Sequence, residues 1–408
     1  KDLISVSEQS IEDVLNCFDI FSQEISDSAD NSLTSARAAE MLNAFTEQLQ
    51  DVIDLIQKSF SSNNENIVKE GLKTFSSLVK WIDPQFFFQS DLLNQLCASF
   101  LEEKQLAPLV ITILGRIVSL SYIPEDYFGN LGPIFSTIIA KLQALYTEDE
   151  ENFFTDKTIV SLLAVTLTSF LSQYSEAIEI ADYYEPIVLL HQWLIHLTGQ
   201  VDADELEAQE NNSSNYIDPL IRYWRELAQR VCSDLNPHSV VRELYDQFLP
   251  SIRRVLVLRI PSPYEFRDVV EEDGFRAHRI IFKTKLGDLF YTAKDALEQL
   301  AKLDIADTIN AIKESLQAVQ ENGFGNLDLI KSTCWSFGAI VNVLSEQSNK
   351  TFVHQFLDYF ISLFGEADNM GLEEDFLLES RRVVGMASCF IATQSYKFLR
   401  RDDELFSN

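Results

Sequence analysis

Apolar residues recur every third and fourth position along most of the chain, the signature of amphipathic helices that bury one face. In the segment 33–60 the stripe is Leu42, Phe45, Leu49, Val52, Ile53 and Ile56. In 65–82 it is Ile67, Leu72, Phe75, Leu78, Val79 and Ile82. That helix is expected to stop at Asp83-Pro84, because proline disfavours helical backbone at the residue before it. Further helices are expected over 89–102 and 105–121, 130–147 and 152–173, 184–198 and 216–233, 240–259 and 280–303, and 327–346 and 351–365. A last full helix is expected over 376–395, with another pattern starting at 398. Pairs recurring every ~40–50 residues have the period of HEAT-type repeats, in which each pair needs its neighbours to bury its apolar face. The expected fold class is therefore all-α, an α-solenoid of antiparallel helix pairs. An irregular helical bundle fits the same pattern.

Two stretches break the rhythm. Residues 200–215 are polar and acidic and read as a solvated loop. Residues 261–279 begin Pro261-Ser262-Pro263 and run through Glu271-Glu272-Asp273-Gly274. They fit a short hairpin, a crossing loop or an ordinary connection between repeats.

Composition supports the helical reading. Glycine and proline number only 13 and 10 in 408 residues, too few for the turns of an all-β or doubly wound fold. Hydrophobic residues make up 46% and Phe occurs 29 times, which supplies a core and excludes general disorder. The formal net charge is -31, which repels phosphate and argues against direct nucleic-acid binding. No basic patch suits an anionic lipid surface, and no apolar run appears long enough to insert in a bilayer. Cys17, Cys97, Cys232, Cys334 and Cys389 lie far apart, without the spacing of a zinc site or a disulfide framework. No metal or cofactor is expected. The start at Lys1 and the helical pattern opening at 398 suggest a middle segment of a longer protein, with 1–408 as a single repeat array.

Catalytic signatures are missing. There is no phosphate-binding glycine loop and no nucleophile elbow. His191 and His196 are five apart, not the four of a helical zinc pair, and the histidines read as surface or core-edge residues. A binding scaffold is favoured over an enzyme. One helix stands out: 351–364 carries two apolar stripes. Phe352, Phe356, Phe360 and Leu363 form one, and Leu357, Ile361 and Phe364 the other. Either one stripe packs inward while the other lines a groove for an amphipathic peptide, or both are buried.

Several segments resemble the exportin-1 family, in collinear order. They are Trp81-Ile82-Asp83-Pro84 at a helix end, Tyr223-Trp224, the stretch from Leu256 to Pro263, Leu329 with Cys334-Trp335 and Gly338-Ala339-Ile340, Asn349-Lys350-Thr351-Phe352, and Tyr396-Lys397-Phe398-Leu399-Arg400. The resemblance implies a HEAT-repeat nuclear export receptor of the importin-β superfamily, shuttling between nucleus and cytoplasm. It implies RanGTP, nucleoporins and cargo with leucine-rich export signals as partners. It places a partial export-signal groove in 351–408. One wall falls on Leu357, Ile361 and Phe364, the next helix supplies Gly385 and Cys389, and the second wall runs from Phe398 to Leu405.

The departures from the family pattern carry their own expectations. Phe364 stands where the family has a reactive cysteine, which leaves Cys389 as the groove thiol. Residues 351–380 contain no Lys or Arg where the family has a lysine-rich link, so Arg381 and Arg382 are the basic rim. Acid in the link would steer peptides with basic flanks. The family's long Ran-contacting loop is expected after the Tyr223-Trp224 helix, yet only Cys232 to Ser239 is available there. Another transport receptor of the superfamily, a HEAT scaffold outside transport, and an enzyme with an unfamiliar site remain as alternatives.

Overall fold

A computed structural model describes residues 8–28, 45–101, 105–120, 125–148, 157–201, 216–234, 238–270, 276–345, 349–366 and 374–399, with 43, 103, 123 and 236, apart from 102 and 104 near the first breaks. Leu405 lies outside the described residues. The fold is all-α, built from HEAT-type antiparallel helix pairs. The chain divides into two compact units, Lys1–Leu190 and His191–Asn408.

The first unit contains α1 (Glu8–Ser28), α2 (Leu49–Phe60), α3 (Glu65–Leu78), α4 (Ala107–Val118), α5 (Phe128–Glu148) and α6 (Lys157–Ile178). The stripe expected in 33–60 forms as α2, which buries Leu49, Val52, Ile53 and Ile56. Asn64 caps α3 by accepting from the Asn66 N–H at 3.1 Å, and α3 ends at Leu78, short of the expected stop at Asp83-Pro84. α1 had no counterpart among the expected helices; it packs on α3, with Thr74 donating to the Leu15 carbonyl. The helix expected over 89–102 is instead a short turn, Leu92–Gln95, followed by a π-helical turn, Leu96–Phe100. α6 corrects the expectation about membrane spans, since by length and composition it could cross a bilayer. Its apolar side is spent within the unit: Val160, Leu163, Leu167 and Phe170 are buried, and α6 packs against α4 and α5.

The second unit carries the candidate site. The helix α7 (Tyr184–Gln200) leads into α8 (Ile217–Ser233), α9 (Val240–Tyr245) and α10 (Leu249–Arg259). Then come strands β1 (Tyr264–Val270) and β2 (Arg276–Phe282), followed by α11 (Thr284–Leu303), α12 (Ile305–Asn322), α13 (Leu327–Ile340), α14 (Lys350–Glu366), α15 (Glu374–Gln394) and the turn α16 (Tyr396–Leu399). Helices α8, α11, α13 and α15 contact in succession and form one row. Helices α10, α12 and α14 stack on that row as their partners, so the antiparallel pairing of repeats is direct.

Small hydroxyl residues let the rows approach closely around α13, which is buried from Ser332 to Ile340. Ser336 donates to the Val257 carbonyl at 2.8 Å, and the Thr333 and Ser315 hydroxyls pair at 2.6 Å. α12 was not expected, although Asp304 caps it by accepting from the Asp307 N–H at 3.0 Å. His191 corrects the surface reading of the histidines. It is fully buried, hydrogen-bonded to the Tyr223 hydroxyl at 2.6 Å, with the rings of Tyr245 and Phe248 beside it.

Candidate functional site

The site is built from a hairpin, two helices of one row and the end of α14. Pro261-Ser262-Pro263 stops α10, and the backbone turns extended at Ile260. Residues 264–270 and 276–282 then pair as the antiparallel strands of a hairpin, with Tyr264 opposite Phe282 and Val270 opposite Arg276. This selects the hairpin among the expected conformations and corrects the start of the following helix. Ile280, Ile281 and Phe282 belong to β2, and α11 begins at Thr284. The base is closed by the Lys283 N–H donating to the Pro263 carbonyl at 3.0 Å and by a 3.0 Å ion pair between Lys283 and Glu265.

Two glycines allow the close approaches that shape the site. A Cβ on Gly287 would overlap the Phe282 ring, so glycine there seats β2 against α11. A Cβ on Gly338 would overlap Phe390, so glycine there lets α15 lay that ring over Trp335. The Trp335 and Phe390 centroids are 3.8 Å apart, and Phe290 meets Trp335 edge-on at 5.7 Å.

Between these elements lies an open groove of about 740 Å³. Tyr264 and Ile280 of the hairpin and Tyr291 and Lys294 of α11 form one side. Arg381, Arg382, Gly385 and Cys389 of α15, with Phe364 of α14, form the other, and Trp335 and Phe390 lie between the two sides. Among the described residues the lining is apolar and aromatic, its charged members are Lys294, Arg381 and Arg382, and it includes no carboxylate. Lys294 has Glu298 behind it at 3.7 Å.

Five of the groove residues expected from the sequence thus converge: Phe364, Gly385, Cys389, Arg381 and Arg382. A Cβ on Gly385 would stand 3.3 Å from the Phe364 ring, so the two sit side by side. The remaining expectations are corrected. Leu357 is 4% exposed and belongs to the core stripe, whereas Ile361 and Phe364 are 58% and 47% exposed. Of that pair only Phe364 reaches the cavity. Phe398 is 3% exposed, so it packs inward and does not open a second wall. The wall opposite Phe364 comes from the hairpin and α11, much earlier in the chain. Residues 367–373 of the acidic link, on which the expected preference for basic flanks rests, lie outside the described residues.

Sequence reasoning missed Tyr264, Ile280, Tyr291 and Lys294. Tyr291 is 54% exposed on a helix whose other face is core, and that apolar excess was the available signal. The connection at 232–239 is short, as expected, and its described residues are tied by local hydrogen bonds. Asp234 accepts from the Asn236 N–H, Asn236 from the His238 N–H, and Ser239 caps α9 through the Arg242 N–H.

Comparison with known proteins finds the following similarities. A family model described as "Exportin 1-like protein" matches residues 1–114. Exportin-1 of Schizosaccharomyces pombe is 19% identical over 361 residues, covering 82% of this chain and 33% of that protein. Exportin-1 of Drosophila melanogaster is 20% identical over 352 residues, covering 81% and 32%. Protein EXPORTIN 1B of Arabidopsis thaliana is 20% identical over 387 residues, covering 85% and 35%. The chain spans about a third of the length of these relatives.

Proposed function

We propose, from the premise that this chain is a divergent member of the exportin-1 family, that it is the part of a nuclear export receptor that captures leucine-rich export signals of cargo proteins in the groove beside the hairpin. The observation that carries this reading is the convergence of Phe364, Gly385, Cys389, Arg381 and Arg382 on one apolar groove. The groove takes the apolar side chains of an amphipathic peptide. Each fully buried Leu, Ile or Phe anchor contributes about 1.5–3 kcal/mol, so three or four offset the ordering of a short peptide and leave micromolar affinity.

Lys294, Arg381 and Arg382 favour acidic residues flanking those anchors. Site and mechanism are those of a receptor and not an enzyme: the groove binds and releases, and no bond is made or broken. In the whole protein, binding is coupled to RanGTP, and passage through the pore uses nucleoporins, so the protein shuttles between nucleus and cytoplasm.

Fluorescence anisotropy of a labelled leucine-rich peptide tests the groove. Wild-type chain is expected to bind it, an anchor-to-alanine peptide is expected to bind much more weakly, and Gly385→Trp is expected to block the site. Equal binding of both peptides, or full binding by Gly385→Trp, would overturn the reading. For the full-length protein, capture by GTP-locked Ran separates a transport receptor from a HEAT scaffold.

A further inference from the structure

We draw no further inference here: the strongest candidate, the cleft of about 600 Å³ at the base of the hairpin between the end of α10 and the starts of α13 and α15, has a lining in which Arg259, Lys283 and Lys331 are matched by Glu265, Asp328 and Glu379, with Lys283 paired to Glu265 and Lys331 to Asp328 at 3.0 Å, and nothing in the structure shows what covers it.

Discussion

Asp307→Ala is expected to destabilise the second unit by about 3 kcal/mol. Arg253 of α10 has a side chain only 3% exposed, yet it is a cation. Its Nη1 donates to Asp307 Oδ2 at 2.9 Å and its Nη2 to the Leu300 carbonyl at 3.0 Å. Arg254 adds a 3.3 Å contact to the other Asp307 oxygen and pairs with Glu314 through two 2.9 Å bonds. Removing one partner of a buried ion pair costs about 3–5 kcal/mol, since the charge left behind is uncompensated. Asp307 is one-fifth exposed, so water can relieve part of that, and the lower end applies.

Glu314 is more than half exposed, and Glu314→Ala should cost no more than about 0.5 kcal/mol. Urea unfolding followed by circular dichroism and tryptophan fluorescence gives the magnitudes. Hydrogen exchange localises the effect to α10 and α12, and to the hairpin base that α10 feeds. A loss for Asp307→Ala equal to that for Glu314→Ala would refute the reasoning. The double replacement Arg253→Met with Asp307→Leu should recover most of the loss, because a packed apolar pair avoids desolvating both ions.

Other expectations concern the groove and the thiols. Gly338→Ala should force the Phe390 ring off Trp335, altering tryptophan fluorescence and weakening peptide binding. The overpacking cost of about 1–3 kcal/mol is partly offset by the ~1 kcal/mol helix gain of alanine over glycine, so net destabilisation of about 1 kcal/mol is expected by thermal melting. Arg381→Glu with Arg382→Glu should slow association of acidic-flanked peptides, with stopped-flow rates losing their salt dependence; unchanged rates would count against steering. Cys17 and Cys389 are exposed and should be alkylated in the native chain, as peptide mapping by mass spectrometry would show. Cys97 and Cys334 should stay protected, because burial pushes the Cys97 thiol up to about 12 and the Cys334 thiol well above its usual 9.0. These raised values also set an alkaline limit. An unfolded chain loses those protons near 9, so stability is full below that pH and falls as pH rises toward 12. A melting temperature flat from pH 8 to 11 would contradict this.

The sequence alone determined the helices, because a repeat of 3.6 residues is a local property that needs no partner to be read. The stripes of α2, α3 and α14 and the pairing period were all visible there. α12 is equally legible from its Asp304 cap and the spacing of Ile305, Ile309, Ile312, Leu316 and Val319. Two stripes on one helix do not reveal which neighbour covers each of them. Only packing decided that Leu357 turns into the core while Phe364 reaches the groove. The family resemblance pointed to one wall, and five of its residues do converge. The opposite wall needed the hairpin and α11, which only the tertiary structure brings beside α15. The charge followed the same division. Counting residues gave -31 for the whole chain, but which charged side chains line the groove is decided by packing, and among the described residues those are Lys294, Arg381 and Arg382.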